Sequence, residues 1–208
     1  MYILLIFFHF LTYQLFFVKY ICCALKHYAT RENKNNIDFE GKDKIVAEAT
    51  FLRAYYYFQL VKFFGDVPLV TKVLTREEGL EATRTPKAEV YALIEQDLIF
   101  AADNLSYTAA QTGRVTKGAA QALLGKVYLY QDKFAEAASV LEDLILTGPY
   151  DLVTDYNTIF EEAGENNIES VFEVQYTDLE GAGFGCLQCS EGNVAVGFSG
   201  IRNYSGPD

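Results

Sequence analysis

The stretch KIVAEATFLRAYYYFQLVKFFGDVPLV, residues 44–70, decides how the chain folds. It predicts a helix over residues 45–64, because this range contains neither Gly nor Pro and its large apolar residues recur at helical spacing. They form two faces, Phe51, Tyr55 and Phe58 on one and Leu52, Tyr56, Leu60 and Phe63 on the other. A helix that is apolar nearly all round must be covered on several sides, so we expect it at the centre of a layer of helices. Gly65 and Pro68 are expected to end it.

A second amphipathic helix is predicted to begin at Pro86, where the missing N–H of proline costs nothing, with Thr85 as its N-cap. Its apolar stripe consists of Val90 or Tyr91, Ile94, Leu98, Ala101 and Leu105. Residues 69–84, between the two helices, are predicted to be an extended connection. The carboxylates in it, Glu77, Glu78 and Glu81, are interpreted as a solvated acidic loop and not as an acid and base pair.

A second pair of helices is predicted from residue 117 to 147. The spacing of five residues follows the tetratricopeptide pattern: Leu124, Gly125, Tyr128, Ala137 and Pro149. The small side chains of Gly125 and Ala137 lie where two helices must approach closely. The match is partial, because Gln121 replaces the expected Trp and Leu141 replaces the expected Phe.

The second helix of this pair is expected to be capped by Asp132. It is expected to face the first helix through Phe134, Ala138, Leu141 and Ile145. The central helix and the helix at 86–105 are interpreted as an earlier pair with a lengthened connection. Such pairs bury their faces only against neighbours, usually in at least three repeats, so the chain is expected to be short of a full solenoid.

The sequence changes character beyond Pro149. Residues 151–162 are mixed, and Phe172, Val174 and Tyr176 alternate with polar residues as in a half-buried strand. Glycines then become frequent from residue 181, which indicates loops. The predicted fold class is therefore all-α dominated, with tetratricopeptide-like helix pairs and an irregular, partly extended C-terminal portion. The predicted regions are an atypical apolar segment at 1–27, the helical region at 28–150, and an irregular region at 151–208 that is expected to be truncated.

The N-terminal residues 2–18 are apolar except for His9, Thr12 and Gln14, and they allow three interpretations. A signal or membrane anchor is one, although the segment is marginal in length and no basic residue precedes Lys19. A buried first helix is another. The favoured interpretation is that these residues replace the true upstream region of a longer gene. A fusion of the chain to a periplasmic reporter is then expected to remain in the cytoplasm.

Composition excludes several classes of function. A formal net charge of −11 disfavours nucleic acid as a partner, because binding it depends on clustered Lys and Arg. The two histidines, His9 and His27, precede residue 30, so a Ser/His or Cys/His arrangement is excluded from the body of the chain. Cys186 and Cys189 form a C-x-x-C motif without a second ligand pair or a thioredoxin-like setting, so we predict no metal and no cofactor.

Two charged residues of the central helix are predicted to form structural ion pairs and to take no part in catalysis. Glu48 lies four residues after Lys44, so the two side chains can meet on one face. Arg53 is expected to reach an acid or a carbonyl of another element, because a buried charge must be paired.

Four segments, in this order, resemble the SusD/RagB family of Bacteroidetes outer-membrane nutrient-uptake lipoproteins. They are AEATFLRAYYYFQLVKFFGDVPLV, RTPKAEVYALIEQDLIFAADNL, GRVTKGAAQALLGKVYLYQDKFAEAASVLEDLI and ENNIESVFEVQY, and the resemblance covers roughly residues 40–208. It implies a surface-exposed protein of the cell outer membrane that captures oligosaccharide for a TonB-dependent, SusC-like transporter. Members of the family are usually lipidated on a Cys that follows small residues, a context that neither Cys22 nor Cys23 has.

The predicted function is non-enzymatic glycan binding, with aromatic faces stacked on sugar rings. A tetratricopeptide adaptor for peptides and a glycan hydrolase remain as alternatives. The substrate-binding residues are unknown, because no motif of the family assigns them here. If the chain and the full gene product bound glycan with equal affinity, the aromatic residues of the loops at 69–84 and 181–204 would be the first candidates for contacts. The 208-residue chain is expected to bind glycan weakly or not at all, and the full gene product is expected to bind it.

Overall fold

The computed structural model of the protein describes residues 41–72, 74–161 and 164–175. These residues form five α-helices: α1 (Lys42–Phe64), α2 (Arg76–Leu80), α3 (Lys87–Asn104), α4 (Lys117–Leu129) and α5 (Phe134–Thr147). A short 3₁₀ helix follows at Tyr156–Phe160. The long helices pack in chain order, α1 on α3, α3 on α4, and α4 on α5. The predicted class, an all-α fold of tetratricopeptide-like helix pairs, is confirmed.

Helix α1 is largely buried, as its sequence predicts, but among the described residues it lies at one end of the packing order, and α3 and α4 are the helices flanked on both sides. Eight of its residues are buried: Ala47, Thr50, Phe51, Ala54, Tyr57, Phe58, Leu60 and Val61. Phe63 is an exception, since 61% of its surface remains exposed in the last turn of the helix. Gly65 ends the helix in a conformation with φ of 66°, and its amide donates to the carbonyl of Val61. Glycine adopts this left-handed backbone without the strain that a Cβ would cause.

Helix α3 begins one residue later than predicted. Pro86 occupies the N-cap position in place of Thr85, and the amide of Lys87 donates to a carboxylate oxygen of Asp66 at 2.8 Å. The acid at the end of α1 thus satisfies an amide at the start of α3. Thr85 pairs instead with Val67 in an isolated antiparallel bridge. The predicted stripe of α3 is confirmed, because its members are all buried: Val90, Tyr91, Ile94, Leu98, Ala101 and Leu105.

The sequence analysis predicted an extended connection between α1 and α3. The observed connection is extended only in part. Residues 76–80 form α2, which begins with a capping box: the Thr75 hydroxyl accepts from the Glu78 amide, and the Glu78 carboxylate accepts from the Thr75 amide. Glu78 also pairs with Lys72 at 2.7 Å. Two reciprocal bonds at its first turn explain why so short a segment becomes helical.

The pair formed by α4 and α5 has the predicted close approach. A Cβ placed on Gly125 would lie 2.6 Å from both Cγ and Cδ2 of Leu141, and Ala137 is fully buried.

The predicted face of α5 is wrong in three of its four positions. Its buried and half-buried side chains are Ala137, Val140, Leu141 and Leu144, whereas Phe134, Ala138 and Ile145 are exposed. Residues at i, i+3, i+4 and i+7 counted from Ala137 form one helical stripe, and that stripe faces α4.

Asp132 does not cap α5. Its φ of 58° places it in the left-handed region within the turn, and Lys133 occupies the N-cap position without a side-chain hydrogen bond. The amides of Asp132 and Lys133 donate to carbonyls of α4, at Leu129 and Tyr128. The turn is therefore closed by backbone bonds, which leave the Asp132 carboxylate outside the capping position.

The predicted strand near residue 172 does not form in the described part, since residues 171–175 are irregular in conformation. The ring of Phe172 packs edge-on against Phe51 at 5.8 Å between centroids. Val174 is exposed, and Tyr176 and the glycine-rich stretch lie outside the described residues. The proposed divisions at residues 27 and 150 stay predictions.

Candidate functional site

A buried ion pair joins α1 to α3. Nε of Arg53 donates to one carboxylate oxygen of Asp97 at 2.6 Å, and Nη2 donates to the other at 2.5 Å. The prediction that Arg53 reaches an acid of another element is confirmed. Burial raises the pKa of the Asp97 carboxyl, and the bonds from Arg53 offset only part of this rise. Both carboxylate oxygens are engaged by the guanidinium, so we assign the pair a structural role.

Sequence reasoning did not find Asp97, although the signal was present. Asp97 follows Ile94 by three residues and Val90 by seven, which places it on the buried stripe of α3. An acid on an apolar stripe needs a cation opposite it. The arginine on the equally apolar α1 was the available partner.

The predicted pairing of Glu48 with Lys44 is wrong. Glu48 accepts two hydrogen bonds from the guanidinium of Arg114, which lies in the loop before α4. The planar fork of arginine matches both carboxylate oxygens at once, whereas a lysine offers a single point charge. This pair therefore fastens the loop before α4 to the first turns of α1.

Gln121, which occupies the position of the tetratricopeptide Trp, is buried at the centre of a polar network. Its amide oxygen accepts from the hydroxyl of Tyr107 at 2.9 Å, and its amide nitrogen donates to Asp143 at 2.7 Å. The Tyr107 hydroxyl also lies 2.7 Å from the hydroxyl of Thr147. The network links the loop before α4 to α4 and α5, so it holds the helix pair together where the aromatic ring is missing.

A pocket of about 560 Å³ lies beside α2. Its lining is Pro68, Val70, Leu74, Thr75, Arg76, Gly79, Leu80 and Ala82. The segment at 69–84 contains no aromatic residue, so the expectation of aromatic sugar contacts there is wrong. The other candidate loop, at 181–204, lies outside the described residues. Within the described residues, aromatic rings suited to stacking on a sugar must therefore be sought outside the segment at 69–84.

Exposed aromatic rings occur where the C-terminal ends of α1 and α4 meet. Phe63 is 61% exposed and Tyr130 is 55% exposed, and the Tyr130 ring packs edge-on against the buried Phe58 at 5.2 Å between centroids. The ammonium of Lys62 lies over the same rings, 4.7 Å from the centroid of Phe58, 5.8 Å from Phe63 and 5.9 Å from Tyr130. We call Lys62, Phe63, Lys126 and Tyr130 the lysine–aromatic patch.

Helical spacing builds this patch from two pairs of residues. Lys62 follows Phe58 by one turn of α1, and Tyr130 follows Lys126 by one turn at the end of α4. Burial lowers the pKa of the Lys62 ammonium, and the charge of Lys126 lowers it further. Neither lysine forms a salt bridge within residues 41–72, 74–161 and 164–175. The patch thus combines open ring surface with two neighbouring positive charges.

The sequence analysis placed Phe58 and Phe63 on apolar faces of the central helix that other helices were expected to cover. Phe58 is buried as expected, whereas Phe63 is exposed, and so is Tyr130, which the sequence analysis did not assign. Both exposed residues lie within two residues of a turn that contains a left-handed backbone position, at Gly65 and at Asp132. Position in the last turn does not by itself predict this exposure, because Val61 in the last turn of α1 is buried.

Metal-ligating side chains do not cluster in the part of the chain that the structure describes. No three His, Cys, Asp or Glu residues of this part come together as a metal site. Both histidines and all four cysteines lie outside it. No helix in the same part is long and apolar enough to cross a membrane.

The fold places the chain in the class of tetratricopeptide-like helical scaffolds, and comparison with known proteins narrows that class. The sequence model of a SusD-like family, described as starch-binding and associating with the outer membrane, matches residues 9–129. The chain therefore belongs to the SusD-like family.

Curated relatives agree with this membership. A SusD-like protein of Bacteroides ovatus is 30% identical over 159 residues, which cover 71% of this chain and 29% of the relative. A SusD-like protein of Formosa agariphila is 26% identical over 153 residues, which cover 72% of this chain and 29% of the relative. The chain thus spans less than a third of the length of these relatives.

Solved structures share the helical arrangement. A laminarin-binding SusD-like protein has a TM-score of 0.72 and 35% identity, over 81% of this chain and 37% of that chain. A SusD-like carbohydrate-binding protein of Bacteroides fragilis has a TM-score of 0.67 and 31% identity, over 76% of this chain and 31% of that chain. These similarities confirm the family that the four sequence segments indicate.

Proposed function

We propose that the protein is a non-enzymatic glycan-binding component of an outer-membrane nutrient-uptake system. The observation that carries this proposal is the match of residues 9–129 to a starch-binding family. The likeness to a laminarin-binding structure supports the same class of ligand. In this proposal the helix pairs of residues 28–150 are the scaffold, and oligosaccharide is the ligand.

The cell surface is the proposed location, and a TonB-dependent, SusC-like transporter is the proposed partner. The family description, which names association with the outer membrane, supports the location. The net charge of −11 agrees with a partner other than nucleic acid. An adjacent transporter gene at the same locus, and recovery of both proteins in one complex from outer membranes, are the expected results. A locus of cytosolic genes alone would contradict the assignment.

The described structure favours binding over hydrolysis. Hydrolysis of glycosides generally needs two opposed carboxyl groups in a cleft. The most buried carboxylate, Asp97, is engaged on both oxygens by Arg53, and Glu48 is engaged in the same way by Arg114. These two acids serve the packing of the helices, so they are poor candidates for acid and base.

Affinity gel electrophoresis tests the proposal, because it detects weak binding. The chain is run in native gels that contain laminarin, starch, xylan or an acidic polysaccharide, with bovine serum albumin as the reference protein. Retardation by at least one glycan is expected. Equal mobility in every gel would contradict glycan binding by this chain, and release of reducing ends would identify a hydrolase instead.

A further inference from the structure

The lysine–aromatic patch is the most distinctive surface of the described chain. Its two lysines lie close enough to influence each other, in a chain that carries 28 acidic and 17 basic residues. Lys72 and Lys133, by contrast, are each neutralised by a glutamate, at 2.7 and 2.5 Å. Lys62 and Lys126 have no carboxylate partner in the described ranges. A pair of like charges without a counter-ion favours an anion.

The rings make the same surface suitable for a sugar. Phe63 and Tyr130 are more than half exposed, and both are held on helices, with the Tyr130 ring supported by Phe58. Rigid rings at helix ends lose little conformational freedom when a ligand stacks on them. A lysine over an aromatic ring is common, but a single ammonium within 6 Å of three ring centroids is a dense arrangement. The ammonium groups lie beside the rings, where the substituents of a stacked sugar would reach.

We infer that the lysine–aromatic patch is a subsite for an acidic sugar, a uronate or a sulfated residue of a polysaccharide. The sugar ring stacks on Phe63 and Tyr130, and its carboxylate or sulfate accepts hydrogen bonds from Lys62 and Lys126. This inference rests on the proposed function, since it names the chemistry of the glycan at one place. Because the patch is open, it provides weak contacts that add to those of other subsites.

The test compares two glycans and two matched pairs of substitutions. The intact chain is run in native gels with polygalacturonate and with neutral laminarin. Lys62→Gln/Lys126→Gln removes the charges of the patch. Arg84→Gln/Lys87→Gln is the control, because both residues are exposed and the change in net charge is the same. Melting temperatures of both double variants establish that they are folded.

Retardation by polygalacturonate is expected for the unmodified chain and the control. The patch variant is expected to lose affinity about three- to tenfold, the range for two exposed charge pairs. Phe63→Ala is expected to weaken the same binding, and Phe63→Tyr to restore it, because tyrosine keeps the ring. Added salt is expected to weaken it as well.

Two results would overturn the inference. One is equal retardation of the patch variant and the control by polygalacturonate, which would place the acidic glycan elsewhere. The other is the absence of retardation by polygalacturonate in every protein. If laminarin still retards the chain in that case, the proposed function stands and only the acidic subsite is wrong. If neither glycan retards it, the acidic subsite is wrong, and the proposed function is then decided by the starch and xylan gels.

Discussion

Overpacking at Gly125 is the sharpest test of the helix packing described above. In Gly125→Leu, the first added atom alone would lie 2.6 Å from Cγ and Cδ2 of Leu141 and 3.1 Å from its Cδ1. Carbon atoms at optimal contact are about 3.5 to 4.0 Å apart, so the neighbouring side chain and then the two helices must move. Such overpacking costs about 1 to 3 kcal/mol. The better helix propensity of leucine offsets up to about 1 kcal/mol of this.

Gly79→Leu is the matched control for this substitution. Gly79 also lies within a helix, and a Cβ placed on it meets no atom within 4 Å. The control therefore reports the change in propensity without overpacking, and its stability is expected to be unchanged or slightly higher. The difference between the two variants isolates the contact with Leu141.

Thermal unfolding followed by circular dichroism at 222 nm measures both variants. A cost of 1 kcal/mol lowers the melting temperature of a chain of this size by about 2 to 4 °C. Gly125→Leu is therefore expected to melt about 2 to 12 °C below the Gly79→Leu control. The double variant Gly125→Leu/Leu141→Ala is expected to recover part of the loss, because it removes the opposing side chain. If Gly125→Leu melts with the control, the proposed register of α4 on α5 is wrong.

Three further predictions concern the core. Asp97→Ala is expected to lower the free energy of unfolding by about 3 to 5 kcal/mol in urea titrations, because it removes the carboxylate that accepts two hydrogen bonds from the largely buried guanidinium of Arg53; a loss below 1 kcal/mol would contradict the pairing. Burial raises the pKa of Asp97, so the folded state holds this proton to a higher pH than the unfolded chain. The contribution of the Asp97 carboxyl to the free energy of unfolding is therefore largest below its unfolded pKa and is lost as pH rises through its folded pKa. This pH-dependent decrease in the free energy of unfolding is expected to be absent in Asp97→Asn. Tyr57→Phe is expected to cost about 1 to 3 kcal/mol, because the amide of Val70 donates to the Tyr57 hydroxyl at 2.6 Å; unchanged protection of that amide from hydrogen exchange would contradict this.

The long helices were predictable because burial imposes one period on many residues at once. The apolar residues of α1 and the stripe of α3 repeat over several turns, so a single misplaced residue does not change the result. The close approach at Gly125 was predictable for a related reason, since a tetratricopeptide spacing fixes which positions must be small.

Ends, short elements and pairings were harder to predict, since each depends on one or two contacts. The start of α3 differs from the prediction because the amide of Lys87 finds its acceptor in the carboxylate of Asp66, which is remote in sequence. The Thr85 hydroxyl was expected to cap this end of the helix. α2 depends on two reciprocal bonds at Thr75 and Glu78, which no period reveals. The face of α5 was misjudged because its apolar residues cover a wide arc that includes both the predicted stripe and the observed one, so the sequence alone does not select the stripe that meets α4.

The lysine–aromatic patch could not be predicted from the sequence, because it forms where the ends of α1 and α4 meet. The sequence gives Phe63 and Tyr130 the same apolar character as their buried neighbours. Their exposure follows from the point at which each helix stops relative to the helices packed against it, which is a tertiary property. The match to a glycan-binding family indicates the class of ligand but does not indicate this surface.

The connection between α1 and α3 is closed at its base by two contacts described above, the Val67 to Thr85 bridge and the bond from the Lys87 amide to Asp66. α2, which lies within it, packs on none of the other helices in the described ranges. The connection contacts the helical layer at its start, where Leu69 packs against the core and the Val70 amide donates to the Tyr57 hydroxyl, so the part suited to change is residues 71–84. Because the entropic cost of loop closure rises slowly with length, this segment can be lengthened, shortened or exchanged at little cost to the fold. It is a natural position for diversification among related proteins and for inserting a reporter or a binding loop by design.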